Sequence, residues 1–303
     1  MASQDLCAHS TQYCISTSYL PPEIIDVIFY QLKLDNSREA KRALLSCLWV
    51  SKYFRDIASH YIFRSIRVNS NLNSSPHDLE RLLEILAPSS SQAKWMSILP
   101  YIYQFSLSVS YYHRQLLMDM DLLFSCLRRL SAALSEDPTR TRRLTTLVLR
   151  FNLNSLRRDG LDFTTELQGP VRSLLKMPHL ESVEISGADF LSPDILHDTH
   201  FSELDISECS PRHLHDSDAV GNFRLRSLVT DTTFPPKVKT PDMQRLLGRL
   251  DHLEILFKND SEHTFRKAGD ILRFAPASKT LTLVFLVLYC RSHLLHTHMT
   301  NID

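Results

Sequence analysis

Apolar positions recur along this chain in two different periods, and the change from one to the other divides it. In LPPEIIDVIFYQL, Leu20 to Leu32, the spacing is helical. At about 100° per residue, Ile24, Ile28 and Leu32 fall on one face, with Ile25 and Phe29 flanking it on one side and Val27 on the other. The apolar arc is roughly 200° wide, about twice the stripe that a helix resting on a single core needs. Pro21 and Pro22 set the entry, Ser18 stands as a candidate cap, and Glu23 suits the positive end of the helix dipole. Such a helix is expected to meet a second partner besides its own core.

The helical period continues through NSREAKRALLSCLWVSKYFRDIASHYIFRSIRV. Asn36 and Glu39 have the spacing of a capping box, and Ala40, Ala43, Leu44, Cys47 and Leu48 form a stripe. A second stripe, Val50, Phe54, Ile57, Ala58 and Tyr61, follows in shifted phase, which predicts two helices with a bend at Trp49 to Ser51. Three helices in so short a stretch make a core of marginal stability. Periodicity alone leaves two readings open: a helical cap on a larger domain, or a docking module.

After the Ser/Asn-rich VNSNLNSSPHD, a linker or loop by composition, a six-residue frame LxxLxL takes over. It runs Ile102-Phe105-Leu107, Leu144-Leu147-Leu149, Leu180-Val183-Ile185, Phe201-Leu204-Ile206 and Leu225-Leu228 with Thr230. A degenerate copy sits at Phe63-Ile66-Val68, and LEILF at Leu253 and KTLTLVFLVL near the end look like two more. Helical stripes lie in several gaps: Leu79, Leu82, Leu83 and Leu86; Leu123, Cys126, Leu127, Leu130 and Leu134; Val171, Leu174 and Leu175; Met243, Leu246, Leu247 and Leu250. Alternate strand residues would point inward while a helix closes the other side. The fold class is therefore α/β, and the repeat resembles an irregular leucine-rich-repeat solenoid, a horseshoe of parallel strands. Spacings run from 21 to 42 residues and the usual asparagine is missing, so an ordinary α/β domain stays open as an alternative.

Composition changes this picture little. The 303 residues hold 34 basic and 34 acidic side chains, 43% hydrophobic and 22% charged, with no long single-sign block, so nothing points to nucleic acid or an anionic membrane. No secretory signal is visible, and the longest apolar run is about half a membrane span. Six cysteines without a CxxC pair fit reduced thiols, and the expected compartment is the cytoplasm or nucleus. With six glycines and no phosphate-cradling loop, a nucleotide-binding sheet is disfavoured. Histidines at 197 and 200, 213 and 215, and 293, 296 and 298, and the Cys7-x-His9 pair, lack partner ligands in metal-site spacing. No nucleophile elbow is found. No cofactor, metal or catalytic residue is expected.

The segment from about Tyr19 to Phe63 resembles an F-box: Leu-Pro-x-Glu, apolar positions along a first helix, then Val-Ser-Lys-x-aromatic leading into a third. Leu20, Pro21, Glu23, Ile24, Ile28 and Leu32 match the first part; Leu45, Leu48, Val50, Ser51, Lys52 and Phe54 match the second. Phe54 stands where Trp is common, and KLDNSREAKRA lengthens the first interhelical segment in the manner of fungal F-box families. The resemblance implies a disordered tail over 1–17, an F-box over 18–65 and a repeat domain over 66–303. It implies further that Leu20, Pro21, Glu23, Ile24, Ile28, Leu32, Leu45, Leu48, Val50 and Phe54 dock on a Skp-family adaptor and so on a cullin-RING ligase. The chain would then be a substrate-recruiting subunit of an SCF-type ubiquitin ligase, not an enzyme itself. A non-degradative repeat scaffold and a small α/β hydrolase are the alternatives.

If the frame holds, the positions between the buried ones face outward: Gln104, Ser106, Ser108; Thr146, Val148, Arg150; Ser182, Glu184, Ser186; Glu203, Asp205, Ser207; Ser227, Val229, Asp231. Glu184, Glu203, Asp205 and Asp231 would form an acidic ribbon, with Arg150 to one side, as the candidate target-binding surface. At the C-terminus little follows the last strand to cap it, so a product shorter than its relatives, or one leaning on a partner there, is expected.

Overall fold

A computed structural model describes residues 20–35, 37–71, 77–86, 98–110, 116–136, 144–152, 164–188, 198–207, 224–231, 241–258, 261–275 and 278–285. The expected tail 1–17, Ser18, Asn36, the middle of the Ser/Asn-rich linker, every histidine named above except His200, Cys7, and the stretch beyond 285 lie outside them. The chain divides into two compact units, Met1–Ile62 and Phe63–Asp303.

Unit 1 is three helices: α1 (Pro22–Leu34), α2 (Arg38–Cys47) and α3 (Lys52–Ile62). Pro22 opens α1, where its missing N–H costs nothing. Pro21 is the N-cap, and no side chain among the described residues caps this end. The cap of α2 is displaced by one residue. Ser37, extended at φ −68° and ψ 161°, brings its Oγ over the helix end and accepts from the Ala40 N–H at 3.0 Å, the role assigned above to Asn36. A turn through Trp49 and Val50 separates α2 from α3, and the Phe54 N–H donates to Ser51 Oγ at 3.2 Å. The bend falls where the shift in phase put it. Ile25, Phe29, Leu44 and Ala58 are the buried core, with Phe29 ringed by Phe54 (centroids 5.8 Å apart) and Tyr61 (6.2 Å). The Tyr61 hydroxyl donates to Asp26 Oδ1 at 2.6 Å and ties α3 to α1.

Unit 2 is α/β. Its strands are β1 (Ser65–Asn71), β2 (Gln104–Ser110), β3 (Thr146–Asn152), β4 (Ser182–Ser186), β5 (Glu203–Ser207), β6 (Ser227–Thr230), β7 (His252–Phe257) and β8 (Thr280–Phe285). The helices among the described residues are α4 (His77–Leu86), α5 (Leu116–Glu136), α6 (Thr164–Leu175), α7 (Pro241–Leu247) and α8 (Glu262–Phe274). All eight strands form one parallel sheet in the order of the sequence, β1 to β8, with no reversal. Each frame found in the sequence forms one of these strands. Phe105 and Leu107, Leu147 and Leu149, Val183 and Ile185, Leu204 and Ile206, Leu228 and Thr230, and Leu253 and Ile255 are buried in the pattern expected. Together with the helical leucines they form one continuous core.

A repeated backbone contact sets the register. The carbonyls of Arg64, Tyr103, Thr145, Glu181, Ser202, Arg226 and Asp251 each accept two consecutive N–H groups from the start of the next strand, at 2.7–3.1 Å. After β4 the chain turns at Gly187, whose φ of +68° is open to glycine at little cost. A Cβ there would lie 1.7 Å from the Phe151 carbonyl oxygen, so no larger residue fits.

Candidate functional site

In unit 1 the stripe that α1 buries is Ile25 and Phe29, one position round from the face expected to be central. This leaves Leu20, Pro21, Glu23, Ile24 and Ile28 exposed, and Leu45 of α2 and Val50 of the following turn exposed with them. Leu32, Leu48 and Phe54 are half-buried and pack against the core instead. Val27, Tyr30, Leu34, Trp49 and Tyr53 add to the exposed apolar surface although they are outside the family pattern, Trp49 being 75% exposed. Of the twelve large apolar side chains that stay exposed among the described residues, ten belong to this unit of 62 residues. Isolated exposed apolar residues are ordinary; here they are concentrated on one small unit.

In unit 2 the strand register aligns the positions between the buried frame residues in rows across the sheet. One row runs Arg67, Ser106, Val148, Glu184, Asp205, Val229, Glu254 and Thr282. Glu184 and Asp205 are direct neighbours on strands about 4.8 Å apart, and Arg150 Nε donates to Glu184 Oε1 at 2.5 Å. That contact holds the Arg150 guanidinium protonated more firmly than usual. Burial, then the charges of Glu184 and Glu254, push the Asp205 carboxyl up to about 6, with Arg150 opposing and Asp231 adding a little. Glu203 is exposed one row away, opposite Ser182 and Ser227.

The expected ribbon is corrected at several places. Asp231, just past the end of β6, is buried, 4% exposed, and its carboxylate lies 3.1 Å from Lys258 Nζ. Val148, expected to face outward, is buried. Glu184 is held by Arg150, so two of the four expected carboxylates have cationic partners. Glu254 joins the row unforeseen, although LEILF at Leu253 already placed it in the outward frame. The acidic field that remains is Asp205, Glu254 and Glu203, weaker and nearer the C-terminal half than the ribbon drawn from the sequence.

Chemistry elsewhere is quiet. Among the described residues no group of three His, Cys, Asp or Glu side chains is placed to hold a metal. Cys126 is a buried thiol whose Sγ donates to the Leu79 carbonyl at 3.2 Å, and burial pushes it up to about 12. A thiol held so far from its thiolate is a packing group, not a nucleophile. No helix among the described residues is long and apolar enough to cross a membrane. Compared with protein-family models and with curated proteins, the sequence matches none.

Proposed function

We propose that the chain is the substrate-recruiting subunit of an SCF-type ubiquitin ligase. Unit 1 docks as an F-box on a Skp-family adaptor, and through it on a cullin-RING ligase, while unit 2 holds the target protein. The observation that carries this reading is that exposed apolar surface and motif coincide: Leu20, Ile24, Ile28, Leu45 and Val50 belong to both. Each is about half exposed, so docking that covers it contributes roughly 1 kcal/mol. Added to the other exposed apolar groups of the unit, this reaches the range needed to offset the entropy lost on association.

Unit 2 is read as an irregular leucine-rich-repeat solenoid. The support for that finer description is the sequential strand order, the recurrence of the buried frame and the repeated carbonyl contact at each strand start. A subunit of this kind makes and breaks no bonds; it raises the effective concentration of a target lysine beside a charged conjugating enzyme.

The test is capture of a purified Skp-family adaptor by the full chain, by Ile24→Asp and by Ser173→Asp, a charge-matched control at an exposed position of α6 in unit 2. Ile24 is 47% exposed, so the variant keeps its fold, while a charge carried into a desolvated contact weakens binding by more than a hundredfold. Adaptor capture by Ile24→Asp equal to that of the control sinks the reading.

A further inference from the structure

The two edges of the sheet differ in kind. β1 carries Arg67 among serines and asparagines, whereas β8 reads Thr-Leu-Thr-Leu-Val-Phe, without a charge, a proline or a glycine. It pairs with β7 on one side and, among the described residues, ends the strand order on the other. Natural edge strands are ordinarily blunted by charges, prolines or bulges. β8 has none of these. Leu281 and Leu283 are only half-buried, although their register partners Leu253 and Ile255 are fully buried. In unit 2 the large apolar side chains exposed among the described residues are Phe265 (45%) and Phe285 (37%). Both lie against Phe257, at 5.4 and 4.6 Å between centroids, so the exposed apolar surface of this unit gathers at the β8 corner.

We infer that β8 joins two copies of the chain as a two-fold antiparallel pair centred on Leu283. The Thr280 N–H donates to the Asp251 carbonyl at 3.1 Å and so points toward β7. Peptide groups alternate sides along a strand, which turns those of Leu281, Leu283 and Phe285 toward the open edge. A two-fold axis normal to the sheet keeps each side chain on its own face, so odd positions meet odd positions. Centring on Leu283 then sets Leu281 opposite Phe285 of the second copy and engages the whole strand. All three pairs present outward peptide groups on both sides, as a hydrogen-bonded antiparallel ladder requires. The same register covers Phe285 with an aliphatic neighbour and extends the buried row of one sheet into the other. An uncharged strand also meets its own copy without like-charge repulsion, which favours self-pairing over a charged partner. This inference does not depend on what unit 1 binds.

The experiment uses the full chain, alone, in sedimentation equilibrium over a wide concentration range, with Phe285→Glu and Phe265→Glu compared for folded circular dichroism. The expected result is a mass that doubles with concentration for the native chain and stays single for folded Phe285→Glu. For register, Thr282→Cys and Val284→Cys are oxidised separately and mixed, since the two-fold pairing sets Thr282 opposite Val284 of the second copy. Peptide mass spectrometry should then find the 282–284 link in the mixture several-fold above either like-with-like link. A chain that stays monomeric at every concentration, its edge taken by its own residues 286–303 or by nothing, overturns the proposal. So does a dimer that gives no 282–284 link, or one that Phe285→Glu leaves intact.

Discussion

Two isoleucines and a phenylalanine on one short helix have opposite fates. Phe29 is 1% exposed and central to the core of unit 1, while Ile24 and Ile28 on the adjoining stripe are open to water. Phe29→Ala is therefore expected to cost unit 1 about 3–4 kcal/mol, and Ile24→Ala within about 0.5 kcal/mol, read from chemical denaturation of the full chain followed by a probe in α1. At Asp205 the consequence concerns pH. Unfolded, this carboxyl titrates near 3.8; folded, it is raised to about 6. Between the two the folded chain keeps a proton that the unfolded chain has released. The group thus favours the fold at low pH, and its contribution is lost as the pH rises through about 6. Asp205→Asn should have a higher urea midpoint than the native chain near pH 8 and an advantage that shrinks toward pH 4; an advantage independent of pH would reject the assignment. That Asp231 is buried and that Ser37, not Asn36, is the cap are each a matter of a single backbone step. An alternating frame states which face a residue takes only while the strand lasts, and β6 ends at Thr230. Capping-box spacing selects Asn36, because Glu39 lies three residues on, and the backbone angles that make Ser37 the cap leave no trace in composition.

Among the elements, the strands were legible because apolar residues alternate along them, buried in β2 to β7 and half-buried at Leu281 and Leu283 in β8. Four of the helices of unit 2 were legible for a similar reason, each carrying several leucines or valines at helical spacing. α8 was not. Its buried face is Thr264, Ala268 and Ile271, small or singular residues that raise no apolar stripe above background. What announces this helix instead is its cap, Ser261, whose Oγ accepts from the Thr264 N–H at 3.3 Å. The turn at Gly187 supplies the prediction at this scale. Its N–H donates to the Ser207 carbonyl at 3.0 Å, joining the end of β4 to that of β5, and its α-carbon passes against the Phe151 carbonyl. Gly187→Ala faces both a disfavoured φ and a backbone clash, so a loss of at least ~2 kcal/mol is expected. Gly169→Ala, inside α6 with open space at the Cβ position, should be neutral or slightly stabilising under the same assay. Similar values for the two would show that the turn relaxes around a side chain.

For the whole molecule, the contrast between the units is one of core size: among the described residues, a cluster of four buried apolar side chains in unit 1 against one that runs from Val68 to Ala275 in unit 2. A small core opens more readily. Hydrogen exchange on the full chain should find amides of α1, α2 and α3 less protected than those of β3 to β6, and addition of the adaptor should slow exchange in unit 1 selectively. Equal protection of the two units beforehand would mean that unit 1 gains no needed support from a partner. The carbonyl contacts at the strand starts carry a different consequence, one about time. Each strand from β2 to β8 takes its first hydrogen bonds from the residue that leads the strand before it. A sheet with a reversed strand order must wait for distant segments before its middle is complete. Here each strand after β1, as it leaves the ribosome, finds its template already made, so assembly can keep pace with synthesis and β8, the last of the described strands, is also the last of them to be laid down.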